Sequence, residues 1–453
     1  MTASPSTLHA LVLAAGKGTR MRSSRPKVLH EIANRPLYGW ALAALETLKP
    51  TQRTLIVGPD WPSSIQLPSG VKQLTQQERK GTGHALRLYR DRMHKPSGWL
   101  MMIYGDTPLV QSATLTRLYD SAVAQGADLA VTAFTPDNPG RYGRLIHDQE
   151  GRLARIVEYQ DASEQERASG LCNGGLMLMR LPEAFNWIDQ LSDANAAQEY
   201  YATDLVQIAY GAGFKPIAVP VPEGGVMGVN TRSELAQAEA VMQTRLRAAA
   251  MAQGVTMLDP QSVHLSHDTR FAADVLLEPQ QVFGPGVEVH SGARLRAFGH
   301  YEGVLIGKDT VVGPFARLRP GTQLDQGVKV GNFVEIKAAH LHKGAKVNHL
   351  SYIGDAAVGA KANIGAGTIT CNYDGFSKHQ TYIGAEAFIG SNSALVAPLT
   401  IGEGAIVGAG STLTRDVSAQ ALALSRTAQS ETEGGGERLR RQLSRAARRK
   451  AEV

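Results

Sequence analysis

Cysteine is nearly absent: the chain's two, Cys172 and Cys371, stand far apart in 453 residues. That is too few and too separated for a disulfide framework or a cysteine-rich zinc set, and it fits a reducing compartment, so a cytoplasmic protein is expected. No apolar run approaches the roughly 20 residues that span a bilayer, so no membrane partner is expected. The run at residues 8–15 has no basic residue before it and is followed at once by Gly16-Lys17-Gly18-Thr19-Arg20, which predicts a buried strand rather than a signal sequence. A strong charge of one sign is also missing from the body. The net charge is +6 with a pI near 9.2, but the tail after Arg426 holds seven Arg and Lys (Arg438, Arg440, Arg441, Arg445, Arg448, Arg449, Lys450) against four Glu, half of that surplus. No nucleic-acid partner is therefore expected, and the tail reads as a disordered or late helical appendage. What remains, 43% hydrophobic and 19% charged, is a soluble globular chain with room for two or three domains.

What is abundant is a period of six. Leu265, Phe271, Leu277, Phe283, Val289, Leu295 and Tyr301 form one apolar series, and Ile306, Val312, Leu318, Leu324, Val330 and Ile336 a second. A third runs Ile383, Ile389, Leu395, Ile401, Val407, Leu413, with Gly following most of its members. Neither the helical period of 3.6 nor the strand period of 2 gives this pattern. A coil with three short flat sides does: each side buries one aliphatic residue, and glycine relieves the steric cost of the corner. A left-handed parallel β-helix of hexapeptide repeats follows, with about nine rungs of eighteen residues over residues 263–425. Such coils present a flat apolar wall, so a homotrimer is expected.

The first half has a different grammar. Apolar runs at 11–13, 54–57, 99–104 and 129–134 alternate with helix-like segments at 39–48 and 84–92, which predicts an α/β domain with a mostly parallel, Rossmann-like sheet. The first strand runs into Ala14-Ala15-Gly16-Lys17-Gly18-Thr19-Arg20, a spacing that is neither the P-loop nor the dinucleotide fingerprint. By itself a glycine-rich turn is more often only a turn. Arg25-Pro26-Lys27-Val28-Leu29 adds a second cation close by, which points to phosphate. Gln76 and Gly81-Thr82-Gly83-His84 precede a helix, with His84 read as a surface residue, and Tyr104-Gly105-Asp106 ends the most apolar strand, where an Asp can hold a divalent cation. No side-chain nucleophile is evident.

Together the Leu13-Ala14-Ala15-Gly16-Lys17-Gly18-Thr19-Arg20-Met21 loop and the Pro-Lys-Val-Leu-His segment at 26–30 resemble the sugar-1-phosphate nucleotidyltransferases. The resemblance implies that Arg20 and Lys27 neutralise the triphosphate, that Leu13, Ala14, Ala15, Gly16, Gln76, Gly81, Thr82, Tyr104 and Gly105 line the nucleotide site, and that Asp106 and Asn230 coordinate Mg²⁺. It further implies Gly143, Glu158 and Asn173 as sugar-binding positions. Where the family pattern leads one to expect Lys, this chain has Gln160. Transfer of this kind needs alignment and charge neutralisation rather than covalent help from the protein.

In the repeat half, a lone outward histidine is usually surface decoration. Here Arg319, the pair Glu335 and Lys337 flanking a buried Ile336, the segment from His349 to Tyr352, and the Asn372-Tyr373 loop occur together. This half resembles the acetyltransferase arm of the bifunctional N-acetylglucosamine-1-phosphate uridyltransferases / glucosamine-1-phosphate acetyltransferases, and the two halves cover all but the tail. The resemblance implies His349 as general base with Glu335 orienting or tuning it, Arg319, Lys337, Tyr352 and Asn363 on glucosamine-1-phosphate, and Asn372, Tyr373, Ser391, Ala409 and Arg426 on acetyl-CoA. Val347-Asn348 stand where smaller residues are expected.

The expected organisation is a uridyltransferase domain at 1–229, a linker helix at 230–252, an acetyltransferase β-helix at 253–425 and a basic tail at 426–453. The implied activity is synthesis of UDP-N-acetylglucosamine, a precursor of peptidoglycan and lipopolysaccharide, from glucosamine-1-phosphate, acetyl-CoA and UTP. Two rivals stand beside it: a single-activity nucleotidyltransferase whose β-helix only trimerises, and a sugar-nucleotide-binding scaffold. The repeat also slips. From Ile336 it resumes one residue early at Leu341, and from Ile353 one early at Val358, while the loop at 371–380 interrupts it. Most of the implied acetyltransferase residues lie in that irregular interval, so the slips are expected to mark a second site.

Overall fold

In the computed structural model, which describes residues 7–94 and 97–451, the first apolar run is the strand Leu8–Ala14, buried along its whole length. The ends of the expected first domain and tail, residues 1–6 and 452–453, lie outside the described residues, as do the side chains of Arg449 and Lys450. Alternation explains why so apolar a segment is a strand. Leu8, Ala10, Val12 and Ala14 feed one core, and Leu11, Leu13 and Ala15 feed the other. Gly98–Tyr104 divides likewise, with Trp99, Met101 and Ile103 on one side and Leu100 and Met102 on the other. A sheet buried on both faces needs continuous apolar runs rather than alternating polarity.

The sheet has nine strands, its main path running Pro216–Pro220, Leu129–Phe134, Cys172–Leu181, Gly98–Tyr104, Leu8–Ala14, Gln52–Val57, Val71–Thr75. Cys172–Leu181 alone on this path is antiparallel to its neighbours. The two central strands end together: Leu13 pairs with Tyr104, and the Gly105 amide donates to the Leu13 carbonyl (2.8 Å). The loops carrying Gly16 and Asp106 therefore leave the same edge side by side, the usual ligand position in open α/β sheets.

The expected linker helix is Arg232–Ala252. Its buried face is narrow. Ala238 and Met242 join Ile32, Leu37, Leu109 and Val229 in a small core, and Gln243 is buried, exchanging hydrogen bonds with the Leu265 backbone (2.7 and 2.8 Å). Val241 and Ala249 are exposed. The chain divides into two compact units, residues 1–249 with 264–267 and residues 250–263 with 268–453.

The second unit is a left-handed parallel β-helix. One of its faces stacks ten two- to four-residue strands, from Thr256–Met257 to Leu422–Ala423, so the coil begins earlier and holds one rung more on that face than the spacing implied. From Leu277 onward the period-six residues are its core, all of them buried, while Phe271 before them is only half-buried. Glycine after the aliphatic residue has a different reason from the one expected. Gly384, Gly390 and Gly402 do not have positive φ; a Cβ on Gly390 would run into the Ala409 backbone of the next rung. Rung stacking, not corner geometry, excludes a side chain there. The left-handed corners fall instead on residues such as Asp309, Phe315, Phe333 and Asn392.

The slips have a clear structural form. The spacings after Ile336 and Ile353 each fuse two faces into one continuous strand, Glu335–Leu341 and Tyr352–Val358, with a single left-handed residue, Ala338 or Asp355, in place of the corner. A third five-residue spacing, from Tyr301 to Ile306, keeps two separate strands, Gly299–Tyr301 and Val304–Ile306, with Gly303 left-handed between them. The tail forms a helix, Gly435–Ala451, in which Arg441 pairs with Glu437 (2.6 Å). Among the described residues no helix is long and apolar enough to cross a membrane.

Two candidate active sites

At the first site, Lys27 is buried and its ammonium donates both to Asp106 Oδ2 and to Asn230 Oδ1 (2.9 Å). Three residues distant in sequence are held there by backbone. The Val229 amide donates to the Asp106 carbonyl (2.8 Å). The Asn230 and Thr231 amides donate to the Glu234 carboxylate (2.6 and 2.8 Å), and the Glu234 amide returns a bond to Thr231 Oγ1 (3.2 Å), a capping box opening the long helix. One cationic nitrogen thus touches both oxygens expected to hold Mg²⁺. A divalent cation at that spot is within reach of the same two, and an all-oxygen donor set suits magnesium.

The glycine-rich turn keeps Lys27 in place. Gly18 has φ 63, and a Cβ there would stand 2.5 Å from Lys27 Cβ, so neither backbone nor space admits a side chain. Leu13, Ala14, Ala15, Gly16, Lys27, Gln76, Gly81, Thr82, Tyr104 and Asp106 line one cavity of about 440 Å³, while Gly105 lies behind it, packed on Ala14. Gln76 is buried at the end of its strand, and its amide nitrogen donates to the Gly81 carbonyl (3.0 Å) and to His84 Nδ1 (3.0 Å). With both donors spent, its carbonyl oxygen remains as an acceptor. His84 is therefore not merely a surface residue; it fixes Gln76. Arg79, also missed in the sequence, lines this cavity and donates to the Ala15 carbonyl (2.6 Å).

A second, adjoining cleft of about 680 Å³ is lined by Arg20, Arg141, Tyr142, Glu158, Tyr159, Gln160, Tyr201, Asn230 and Glu234. The three expected sugar positions converge: the Asn173 amide donates to the Gly143 carbonyl (2.9 Å), and a Cβ on Gly143 would lie 3.5 Å from Glu158 Oε2. Burial pushes the Glu158 carboxyl up, against the Thr203 hydroxyl that donates to it (3.0 Å). Burial, with Glu158 and Asp161 nearby, raises Asp204 to about 6. A carboxyl raised on folding favours its protonated form, so its contribution is present below its unfolded pKa and lost as pH rises through 6. Asp204→Asn is expected to melt higher than wild type at pH 7.5, with the gap closing towards pH 4.5; an unchanged gap across that window would remove Asp204 as the cause.

In the β-helix, Asn332 and His349 sit on successive rungs in register, and His349 Nδ1 lies 2.7 Å from Asn332 Oδ1. An amide oxygen accepts only from a protonated Nδ1, which leaves the lone pair on Nε2 and the exposed ring facing solvent. The orienting partner expected was Glu335. Its carboxylate is instead taken by Arg319 (2.8 Å), with Arg317 at 3.9 Å, because it lies in register with Arg317 and begins the next face. Asn332 holds the base and was missed, although one rung's spacing separates it from His349.

Around Glu335 the expected sugar-phosphate residues gather. Lys337 pairs with Asp355 (3.2 Å), which also accepts from Asn372, and Tyr352 stands in register with Glu335. Lys378, from the loop at 371–380, was also missed. The neighbouring Lys337 ammonium, and more weakly Arg319, push its amine below the usual range. Three cations thus gather around two carboxylates, Glu335 and Asp355, which leaves a surplus of positive charge there. Asp374 holds the loop, accepting from the Phe376 and Ser377 amides (2.8 and 2.7 Å) and bonding His379 Nε2 (2.7 Å), contacts that hold its carboxyl well below the usual range. Tyr373 is exposed on it. Asn363 does not join this group: it lies on the preceding face, in register with Lys346 and Phe388.

Of the residues expected for acetyl-CoA, Ser391, Ala409 and Arg426 climb one corner, while Asn372 and Tyr373 belong to the loop at 371–380. Gly367 donates to the His349 carbonyl (3.2 Å), Asn392 to Ala366 (2.7 Å), Gly410 to Ser391 (2.8 Å), and the Arg426 guanidinium to Ala409 (2.7 Å). Ser391, Ala409 and Arg426 thus continue the line that His349 begins, and at strand spacing Ala409 stands roughly 14 Å from it.

Comparison with known proteins bears on both units. Residues 10–169 match the MobA-like NTP transferase domain, and residues 380–415 match the bacterial transferase hexapeptide family of six repeats. Over its length the chain is similar to proteins named bifunctional protein GlmU. That of Zymomonas mobilis is 45% identical over 93% of this chain and 94% of its own. Those of Azorhizobium caulinodans and Acidiphilium cryptum are 48% identical over 99% of both chains, and 50% identical over 95% of this chain and 98% of the other.

Proposed function

Because the chain belongs to the family of bifunctional GlmU proteins, we propose that it makes UDP-N-acetylglucosamine in two steps on two sites. In the first, the amine of glucosamine-1-phosphate attacks the thioester carbonyl of acetyl-CoA. The N–C bond forms, the C–S bond breaks, the proton passes to His349 Nε2, and CoA leaves. Asn332 keeps the proton on Nδ1, so Nε2 is the basic atom. Arg319, Lys337 and Lys378 receive the sugar phosphate, and the corner rising through Ser391 and Ala409 to Arg426 receives the CoA arm, with Asn372 and Tyr373 contacting it from the loop at 371–380.

In the second step a phosphate oxygen of N-acetylglucosamine-1-phosphate displaces pyrophosphate from the α-phosphorus of UTP. Mg²⁺, held by Asp106 and Asn230, would supply charge neutralisation. Arg20 and Lys27 bind and align the triphosphate, Gln76 presents its free carbonyl oxygen to the base, and Gly143, Glu158 and Asn173 hold the sugar. The observation that carries the two-site reading over a merely structural coil is the His349–Asn332 pair, with the Arg319, Lys337 and Lys378 cluster on the same coil. Domain roles of uridyltransferase at 1–229, linker at 230–252 and acetyltransferase at 253–425 follow. A homotrimer in the cytoplasm fits hexapeptide coils, and Asn363 on the neighbouring face is then free to serve a site between copies.

The test is one reaction with acetyl-CoA, glucosamine-1-phosphate, UTP and Mg²⁺, following CoA and pyrophosphate together. Both should be released; CoA absent while pyrophosphate forms from supplied N-acetylglucosamine-1-phosphate would favour the single-activity rival. Arg141 lines the same cleft as Gln160 and brings a guanidinium to it, with its cation over the Tyr159 ring (5.6 Å). Arg141→Ala is expected to raise KM for the sugar phosphate about tenfold with little change in kcat, the mark of lost ground-state binding. A kcat loss at unchanged KM would assign Arg141 elsewhere.

A further inference from the structure

Away from both sites, three side chains on the β-helix surface are arranged as a chelate. His340 and His342 flank Leu341, which is buried, so both imidazoles point outward from one strand and its end. Leu324 pairs in register with Leu341, which sets Asp325, the next residue, one rung away on the same face. Asp325 Oδ1 lies 2.8 Å from His340 Nε2, Asp325 Oδ2 lies 3.2 Å from His342 Nδ1, and the ring centroids are 4.0 Å apart. One ligand atom from each residue falls within 4.8 Å of the others. Bonds of about 2.0–2.2 Å from a tetrahedral ion place its ligand atoms about 3.3–3.5 Å apart, so small side-chain rotations suffice to close on one ion.

The surroundings suit an accessible site with room for further ligands. The side chains are 38%, 42% and 39% exposed for His340, His342 and Asp325, held by one another yet open to solvent. In the next rung Ala357 stands opposite His340, and Gly359 follows Val358, the partner of Leu341, so nothing bulky from that rung covers the trio. None of the three lines either candidate active site.

We propose that Asp325, His340 and His342 bind one borderline transition-metal ion, Zn²⁺ foremost, joining two successive rungs and completed by water. Two neutral imidazoles and one carboxylate favour Zn²⁺, Co²⁺ or Ni²⁺ over Mg²⁺, whose hard all-oxygen preference sends it to Asp106 and Asn230. The ion clips rung to rung, so its effect is on the stability of the coil rather than on either reaction.

The experiment uses the full chain, stripped with a chelator and kept in excess Mg²⁺ to occupy the oxygen site. Zn²⁺ is titrated calorimetrically and Co²⁺ followed by its visible absorption. One Zn²⁺ per chain is expected, raising the Tm, with affinity falling at least tenfold in His340→Ala, His342→Ala and Asp325→Asn, and with the Co²⁺ band lost in each. Metal-free melting of the variants should match wild type, since all three residues are on the surface, which separates loss of the site from loss of the fold. Zn²⁺ binding of equal affinity and stoichiometry in the His340→Ala and His342→Ala variants, or no saturable Zn²⁺ binding by wild type, would overturn the proposal.

Discussion

Replacing His349 with alanine is expected to slow acetyl transfer about 10²- to 10⁴-fold, the usual worth of a positioned general base, while uridylyl transfer proceeds at its normal rate. The ring is exposed, so its loss leaves no cavity and the coil should melt as before. The independence of the second reaction follows from the two compact units, each with its own core and its own candidate site. CoA release by His349→Ala at the wild-type rate would end the general-base assignment. Asn332→Ala provides a finer test. Its amide oxygen selects the tautomer with the free pair on Nε2, so its removal should lower kcat modestly and move the pH profile of acetyl transfer, whereas a purely structural role would leave that profile in place.

Asp106→Asn should have the converse effect: uridylyl transfer reduced about 10³-fold, acetyl transfer intact. The substitution removes the charge that faces Lys27 and would face Mg²⁺, yet keeps the side-chain volume. It also keeps the Asp106 carbonyl that accepts from Val229 and so holds Asn230 in place. The residual activity should need a higher Mg²⁺ concentration for half its maximum, which distinguishes loss of a metal ligand from general damage. Pyrophosphate formation at the wild-type rate and unchanged Mg²⁺ dependence would remove Asp106 from the metal site.

Much of this was legible because the relevant signals are periodic or local. Apolar runs such as residues 8–14 announce a sheet buried on both faces, and the hexad announces the coil, since burying one aliphatic residue per side fixes the spacing of every rung. The slips at Ile336 and Ile353 were visible as numbers, and the structure gives them form as two unbroken strands that carry Glu335, Lys337 and Tyr352. Less legible were contacts across rungs. Glu335, an acid about one rung before His349, was expected to serve it on the strength of the resemblance, and a carboxylate is conspicuous in a sequence where a neutral amide is not. The same bias hid Lys378, which lies on a loop that interrupts the count, and passed His84 over as a surface residue although it fixes Gln76.

By itself, then, the sequence determined the two architectures, their order along the chain and the set of residue types available for phosphate, metal and base chemistry. Those follow from burial and backbone sterics, which act on near neighbours and repeat at fixed intervals. Only the tertiary structure decided which of those residues meet: Lys27 with Asp106 and Asn230, His349 with Asn332, Asp325 with His340 and His342. Register decides those meetings, and a shift of one residue turns a side chain from the outer surface into the core. Composition carries no record of register; hydrogen-bonded strands do.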